Sequence, residues 1–117
     1  MNTQRMTLDI SKESATNKVV YVCSGDHNGT SLCMTINDNG IPADLYGMAA
    51  CLRIRTSDGE AISVECVTSG NEVLCTLDER ILHGSAIDFA YIALSGYERV
   101  YSTERFLVRV MPGYELP

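Results

Sequence analysis

Tryptophan is absent from these 117 residues, and histidine and phenylalanine occur only twice each. Without tryptophan the chain lacks the broadest flat ring on which sugars stack, which weakens a carbohydrate-binding reading. With only His27 and His83, a nucleophile has few bases to sit beside. No G-x-S-x-G elbow is present, and His83-Gly84-Ser85 is sequence adjacency without an orienting acid. Long apolar runs are missing too. "VVYV" and "AYIAL" fall far short of the roughly 18 to 20 residues that cross a bilayer. The opening "MNTQRMTLDIS" has no apolar segment of the signal-peptide kind, so the reading is of a protein made and kept in a cytoplasm, away from the membrane. Basic residues are in deficit: 9 Lys and Arg against 15 Asp and Glu give a formal charge of −6. The arginines are scattered along the sequence, so attraction to nucleic-acid phosphates is not expected.

Cysteine is present, but not in close pairs. Cys23, Cys33, Cys51, Cys66 and Cys75 contain no C-x-x-C, the spacing that lets two thiolates reach one zinc ion from a single turn. Each lies in an apolar or alternating stretch, where a free thiol behaves as a small buried hydrophobe. Reduced core thiols are therefore expected in preference to a disulfide or a metal site, and no cofactor is implied.

The composition, 45% hydrophobic and 21% charged, is that of a folded domain. A chain of this length buries about 65% of its unfolded surface in a single core. Alternation with a period of two dominates, the signature of strands with one dry and one wet face. In "AACLRIRT", Ala50, Leu52 and Ile54 form the dry set, and in "RFLVRV" it is Phe106, Val108 and Val110. The same reading gives strands at 18–24 (Val19, Tyr21 and Cys23 inward), 31–36, 61–67, 72–77 and 87–94 (Ile87, Phe89 and Tyr91 inward).

Turn signals separate these seven segments: Ser24-Gly25-Asp26, Asn28-Gly29, Asn39-Gly40, Ser57-Asp58-Gly59, Ser69-Gly70-Asn71 and Ser95-Gly96. Asn39, Gly40, Asp58 and Gly59 are taken as structural turn residues. If Asn39 and Gly40 are the centre of a hairpin, Asp38 faces Ile41 and Pro42 faces Asn37, with the missing proline N–H pointing away from the partner strand. A short helix over 77–84, with Asp78 as N-cap and Gly84 as stop, is the one helical connector. The expected fold is thus a single all-β domain over 1–117: an antiparallel β-sandwich, immunoglobulin-like or related, of about seven strands, with residues 1–5 and 112–117 as flexible ends.

Specific chemistry fares less well. "GDHNG" and "NDNG" cluster oxygens around glycine, but neither supplies the twelve-residue ligand pattern ending in a bidentate glutamate that a calcium loop needs. Nothing selects a catalytic carboxylate pair among the fifteen acids. Six tyrosines offer stacking surfaces, yet Tyr21 and Tyr91 fall on inward positions, and Tyr97 and Tyr101 flank a hairpin where cross-strand packing is the commoner use. No catalytic, metal or cofactor residue is assigned, and the binding residues are left open.

Read end to end, the chain resembles the N-terminal domain of the baseplate upper protein family of tailed bacteriophages that infect Gram-positive bacteria. The resemblance rests on the order and spacing of "TLDIS", "VVYVCSGD", "TSLCMTI", "DNGIPADLYG", "LRIRTSDGE", "NEVLCTLDERIL" and "STERFLVRV", over residues 6–111 or so. It implies a β-sandwich that fixes a receptor-binding or tail-fibre assembly to the distal tail of a phage or prophage, a virion structural role without catalysis. The implied partners are distal-tail and baseplate proteins and a receptor-binding protein, with a homo-oligomer, a trimer, as an assembled state in the virion. Such a protein is made in the bacterial cytoplasm without a signal peptide. Family members usually continue into a helical or fibrous region that ends in the host-binding parts; this chain ends at Pro117. The runner-up is a carbohydrate-binding or adhesive sandwich that touches the host surface directly.

Overall fold

A computed structural model describes residues 2–10, 18–23, 30–77, 81 and 86–111. Ten strands account for most of them: β1 (Asn2–Asp9), β2 (Lys18–Cys23), β3 (Thr30–Asp38), β4 (Ile41–Pro42), β5 (Ala49–Thr56), β6 (Ala61–Ser69), β7 (Glu72–Leu77), β8 (Ile87–Gly96), β9 (Arg99–Ser102) and β10 (Phe106–Met111). All seven segments with period-two alternation are strands. The three additions are β1 and two short hairpin returns, β4 and β9, which are too brief for alternation to reveal. Residues 2–5, read from the sequence as a flexible end, belong to β1 and pair with Thr30–Cys33.

The strands form one continuous path, β1-β3-β7-β6-β5-β8-β10-β2, with β4 on β3 and β9 on β8. It folds into two layers at β6. Residues 61–66 of β6 pair with β5, whereas 67–69 pair with β7, so a single strand passes from one layer to the other. We call the layer of β1, β3, β4 and β7 sheet I, and that of β5, β8, β9, β10 and β2 sheet II. Most ladders are antiparallel, but β1 pairs with β3 and β10 with β2 in parallel. This departs from a purely antiparallel sandwich. It follows from a chain that visits sheet I, then sheet II, then sheet I again in its first three strands. Side chains from both layers meet in one core: Leu8, Leu32, Met34, Ile36, Val73 and Leu77 from sheet I against Leu52, Ile54, Ile92, Leu94, Phe106 and Val108 from sheet II. Burying each large aliphatic side chain contributes about 1.5–3 kcal/mol.

The faces of two strands are the reverse of those expected. In β2 it is Val20 and Val22 that are buried, while Val19 and Tyr21 are exposed. The run Val19-Val20-Tyr21-Val22-Cys23 is apolar at every position, so alternation alone does not choose a face. In β8, Ile87 is buried as expected, but beyond it Ala90, Ile92 and Leu94 point inward, and Phe89 and Tyr91 do not. The cause is a β-bulge: Arg55 pairs with Phe89 but Thr56 with Ile87, which leaves Asp88 extra and flips every later side chain.

A disulfide joins Cys66 to Cys75, correcting the expectation of reduced thiols for this pair; Cys33 and Cys51 are free. The ladder explains the bond. Val67 pairs with Leu74, so the next cross-strand position places Cys66 opposite Cys75, with Cα atoms 4.8 Å apart. It sits where β6 leaves β7 for the other layer. Of the helix expected over 77–84, Leu77 ends β7 and Ile81 is a buried core residue; the remainder lies outside the described residues, as do the turns at 24–29.

Candidate interaction surfaces

The turn residues are built into the frame. Asn39 and Gly40 form the β3–β4 turn with φ of 54° and 82°, and Asp38 pairs with Ile41 and Asn37 with Pro42. The turn is also held from a distance: the Asp9 carboxylate accepts the N–H of Asn39 at 3.0 Å and that of Gly40 at 2.9 Å. Asp58 and Gly59 lie in the β5–β6 turn, where Thr56 Oγ1 bonds the Asp58 carboxylate and accepts the N–H of Glu60 at 3.0 Å. These side chains are engaged in holding their own loops. Among the described residues no three His, Cys, Asp or Glu side chains converge as a metal site, and no helix is long and apolar enough to cross a membrane.

Opposite the β6 crossover, the two sheets are clasped by Glu104, in the loop between β9 and β10. Its Oε2 accepts the N–H of Asp9 at 2.9 Å and pairs with Lys18 Nζ at 3.4 Å, while its own N–H donates to the carbonyl of Asp9 at 3.0 Å. Lys18 also donates to the carbonyl of Thr7. The loop is also fixed by Thr103, whose N–H donates to the carbonyl of Ile92 and whose Oγ1 accepts the N–H of Ile92.

On the outer face of sheet I, the Cys33 thiol donates to Glu72 Oε2 at 2.8 Å, and Arg5 lies 3.7 Å from the same oxygen. Burial, and then the neighbouring Glu72 carboxylate, push the thiol above its ordinary range. It stays protonated at neutral pH, which removes the thiolate that nucleophilic chemistry needs.

Among the described residues, two exposed surfaces combine aromatic rings with polar groups. The first is at one end of the sandwich, where Tyr46 is 83% and Tyr97 70% exposed. The Tyr97 hydroxyl donates to the carbonyl of Tyr46 at 2.9 Å, and its ring lies over Gly47, where any Cβ would collide with it. Tyr97 and Glu98 both hold left-handed backbone, φ 53° and 61°, as a two-residue hairpin turn requires. The sequence placed this turn at Ser95-Gly96, but β8 runs through Gly96, and the turn uses residues that enter this conformation at a cost.

The second is the outer face of sheet II. Arg53 pairs with Tyr91 and Arg55 with Phe89 across β5 and β8, and Arg109 pairs with Tyr21 across β10 and β2. The Arg105 guanidinium lies 4.0 Å above the Phe89 ring, and Phe89 and Tyr91 stack with centroids 6.4 Å apart. Arg53, Arg55, Arg105, Phe89 and Tyr91 line an open cleft of about 230 Å³. The arginines, scattered in sequence, are therefore gathered in space. Sequence reasoning missed this face because it assigned Tyr21, Phe89 and Tyr91 to the core. The available signal was the arginine pair Arg53 and Arg55 on the wet side of one strand.

The comparisons with known proteins fit this architecture. The model of the BppU N-terminal domain family matches residues 2–114. Among solved structures, the N-terminal domain of ORF48 from phage TP901-1 superposes with a TM-score of 0.72 at 19% identity, covering 94% of this chain and 98% of that one, a likeness of fold. No curated protein sequence matches the chain. With the family model spanning nearly every residue of this two-layer β fold, the chain belongs to the BppU N-terminal domain family, the N-terminal domain of phage baseplate upper proteins.

Proposed function

We propose that this domain attaches a receptor-binding or tail-fibre assembly to the tail baseplate of a phage or prophage through protein–protein contacts. The observation that carries the reading is the family match over residues 2–114. The distribution of chemistry supports it. The interior is filled by apolar side chains, the polar clusters serve turns and the clasp between the sheets, and other groups lie on open surfaces suited to docking. Its partners are distal-tail and baseplate proteins on one side and a receptor-binding protein on the other, with a homotrimer as the assembled state. The place of action is the virion tail, after synthesis in the bacterial cytoplasm. No catalytic step is assigned.

Size-exclusion chromatography with separately purified distal-tail and baseplate proteins tests this: the domain should co-elute with one of them. A domain that elutes alone at micromolar concentrations of every candidate overturns the reading. One observation favours a second reading, direct adhesion to host-surface sugar: Tyr46 and Tyr97 are joined and exposed at one end. A glycan array that lights up, and darkens with Tyr97→Ala, would support adhesion.

A further inference from the structure

The arginine face of sheet II is unusual for this chain. The protein carries a net charge of −6, yet four of its nine basic residues share one surface. The ion pairs of the described residues are Arg5 with Glu72 and Lys18 with Glu104, so Arg53, Arg55, Arg105 and Arg109 have no carboxylate of another described residue within 4.0 Å. Arg53 and Arg55 face Ser63 and Ala61 on β6; the nearest acid along that ladder, Glu65, faces Cys51. Arg55 makes a 3.4 Å contact to the carbonyl of Gly59, and Arg105 rests on Phe89. Stacking on a ring holds a guanidinium in place while leaving its N–H edge open to an anion.

We infer that this groove seats an extended, acidic segment of a partner protein, with carboxylates at alternate positions. The inference deepens the assembly reading and rests on it. Three features select this occupant. Arg53 and Arg55 are two residues apart on one strand, roughly 6.6–6.8 Å along its axis, which is also the spacing of same-side groups on an extended peptide. A guanidinium binds a carboxylate through two parallel hydrogen bonds, which fixes orientation as well as charge. Tyr91, paired with Arg53 and lining the same cleft, gives the side chains flanking the acids an apolar floor. A long polyanion such as nucleic acid matches less well, because it would extend past this patch onto a surface of opposite preference.

The test compares the wild-type chain with Arg53→Gln/Arg55→Gln/Arg105→Gln, whose sites are on the surface, after matched thermal melts show both folded. In co-elution with baseplate and distal-tail proteins, the triple variant should lose affinity by about tenfold or more, as expected when charge-assisted hydrogen bonds are removed. Wild-type and variant binding equally overturns the inference and leaves the assembly reading standing. If neither binds, that reading fails, and a second measurement judges the groove alone. A synthetic peptide with glutamates at three alternate positions, titrated into ¹⁵N-labelled protein, should shift the Arg53 and Arg55 side-chain signals, and the response should weaken as salt rises. An equal response to the glutamine version of the peptide, or a response to polyphosphate but not to the peptide, overturns it.

Discussion

Glu104 Oε2 accepts the backbone N–H of Asp9 at 2.9 Å, joining residues 95 positions apart and one sheet to the other. This carboxylate is 5% exposed, and its second oxygen has no hydrogen-bond partner among the described residues, so its burial is repaid only by Asp9 and Lys18. Glu104→Ala strands the Asp9 N–H and the Lys18 charge together. We expect a loss of about 2–3 kcal/mol in urea denaturation, below the range for fully buried pairs because Lys18 is partly solvated. A loss under about 0.5 kcal/mol, the range of surface substitutions, would mean that the clasp contributes nothing.

The bulge between β5 and β8 makes a prediction about adjacent residues. Ile92 and Leu52 are fully buried and pair across the sheet, so Ile92→Ala and Leu52→Ala should each cost about 2–5 kcal/mol. Tyr91, on the outer face, should cost no more than about 1 kcal/mol when cut to alanine, chiefly through lost cross-strand packing with Arg53. Equilibrium denaturation of the three variants decides it. The reverse order would put the bulge elsewhere.

These two elements also show what the sequence could and could not disclose. Strands such as β3 and β5, with large aliphatics on one face only, were legible in class, extent and orientation, and so was β7, where Val73, Cys75 and Leu77 outweigh the single outward Leu74. In β8 the alternation was read at the correct period but carried through a bulge, and one inserted residue sent Phe89 and Tyr91 to the wrong side. In β2 both faces are apolar, and what decides between them is the parallel pairing with β10, a contact between residues nearly ninety positions apart. The arginine surface was hidden for the same reason: it is assembled from β5, β8 and β10, and no local pattern reports which strands are neighbours.

Cys66 and Cys75 link two strands that are already joined by the short turn at Gly70. Closing a loop of this size lowers the unfolded chain's entropy by an amount worth up to about 3 kcal/mol. Because the bond stands where β6 departs for the other layer, its loss also loosens that crossover. Adding reductant should lower the melting temperature of the wild type and leave Cys66→Ala/Cys75→Ala unchanged. Identical melts for the wild type with and without reductant would rule out a stabilising role.

The Cys33 thiol gives an alkaline signature. Burial first, then the Glu72 carboxylate, raise its pKa above the ordinary 9.0, with Arg5 acting in the opposite direction. A group whose folded pKa is raised keeps its full contribution below the unfolded value and loses it as pH climbs toward the folded one. Stability should therefore decline from about pH 9 upward, more steeply in the wild type than in Cys33→Ala. Denaturation midpoints of the two proteins from pH 7 to 10.5 check this, and parallel curves would show that Cys33 is not a source of the slope.

The β8–β9 turn separates backbone strain from side-chain compensation. Tyr97 and Glu98 both lie in the left-handed region, at roughly 1–2 kcal/mol each relative to ordinary backbone. Glycine relieves that strain at either position, but loses about 0.5–1 kcal/mol through the freer unfolded chain. At Glu98, which is exposed, the balance favours glycine, and Glu98→Gly should raise stability by up to about 1 kcal/mol. At Tyr97 the same change also removes the hydrogen bond to Tyr46 and the ring over Gly47, so Tyr97→Gly should give no gain or a loss. Thermal melts of the two variants measure the difference. Equal stabilisation by both would mean that the tyrosine contacts do not offset the strain, and that the exposed Tyr97 ring is held there without support from its neighbours.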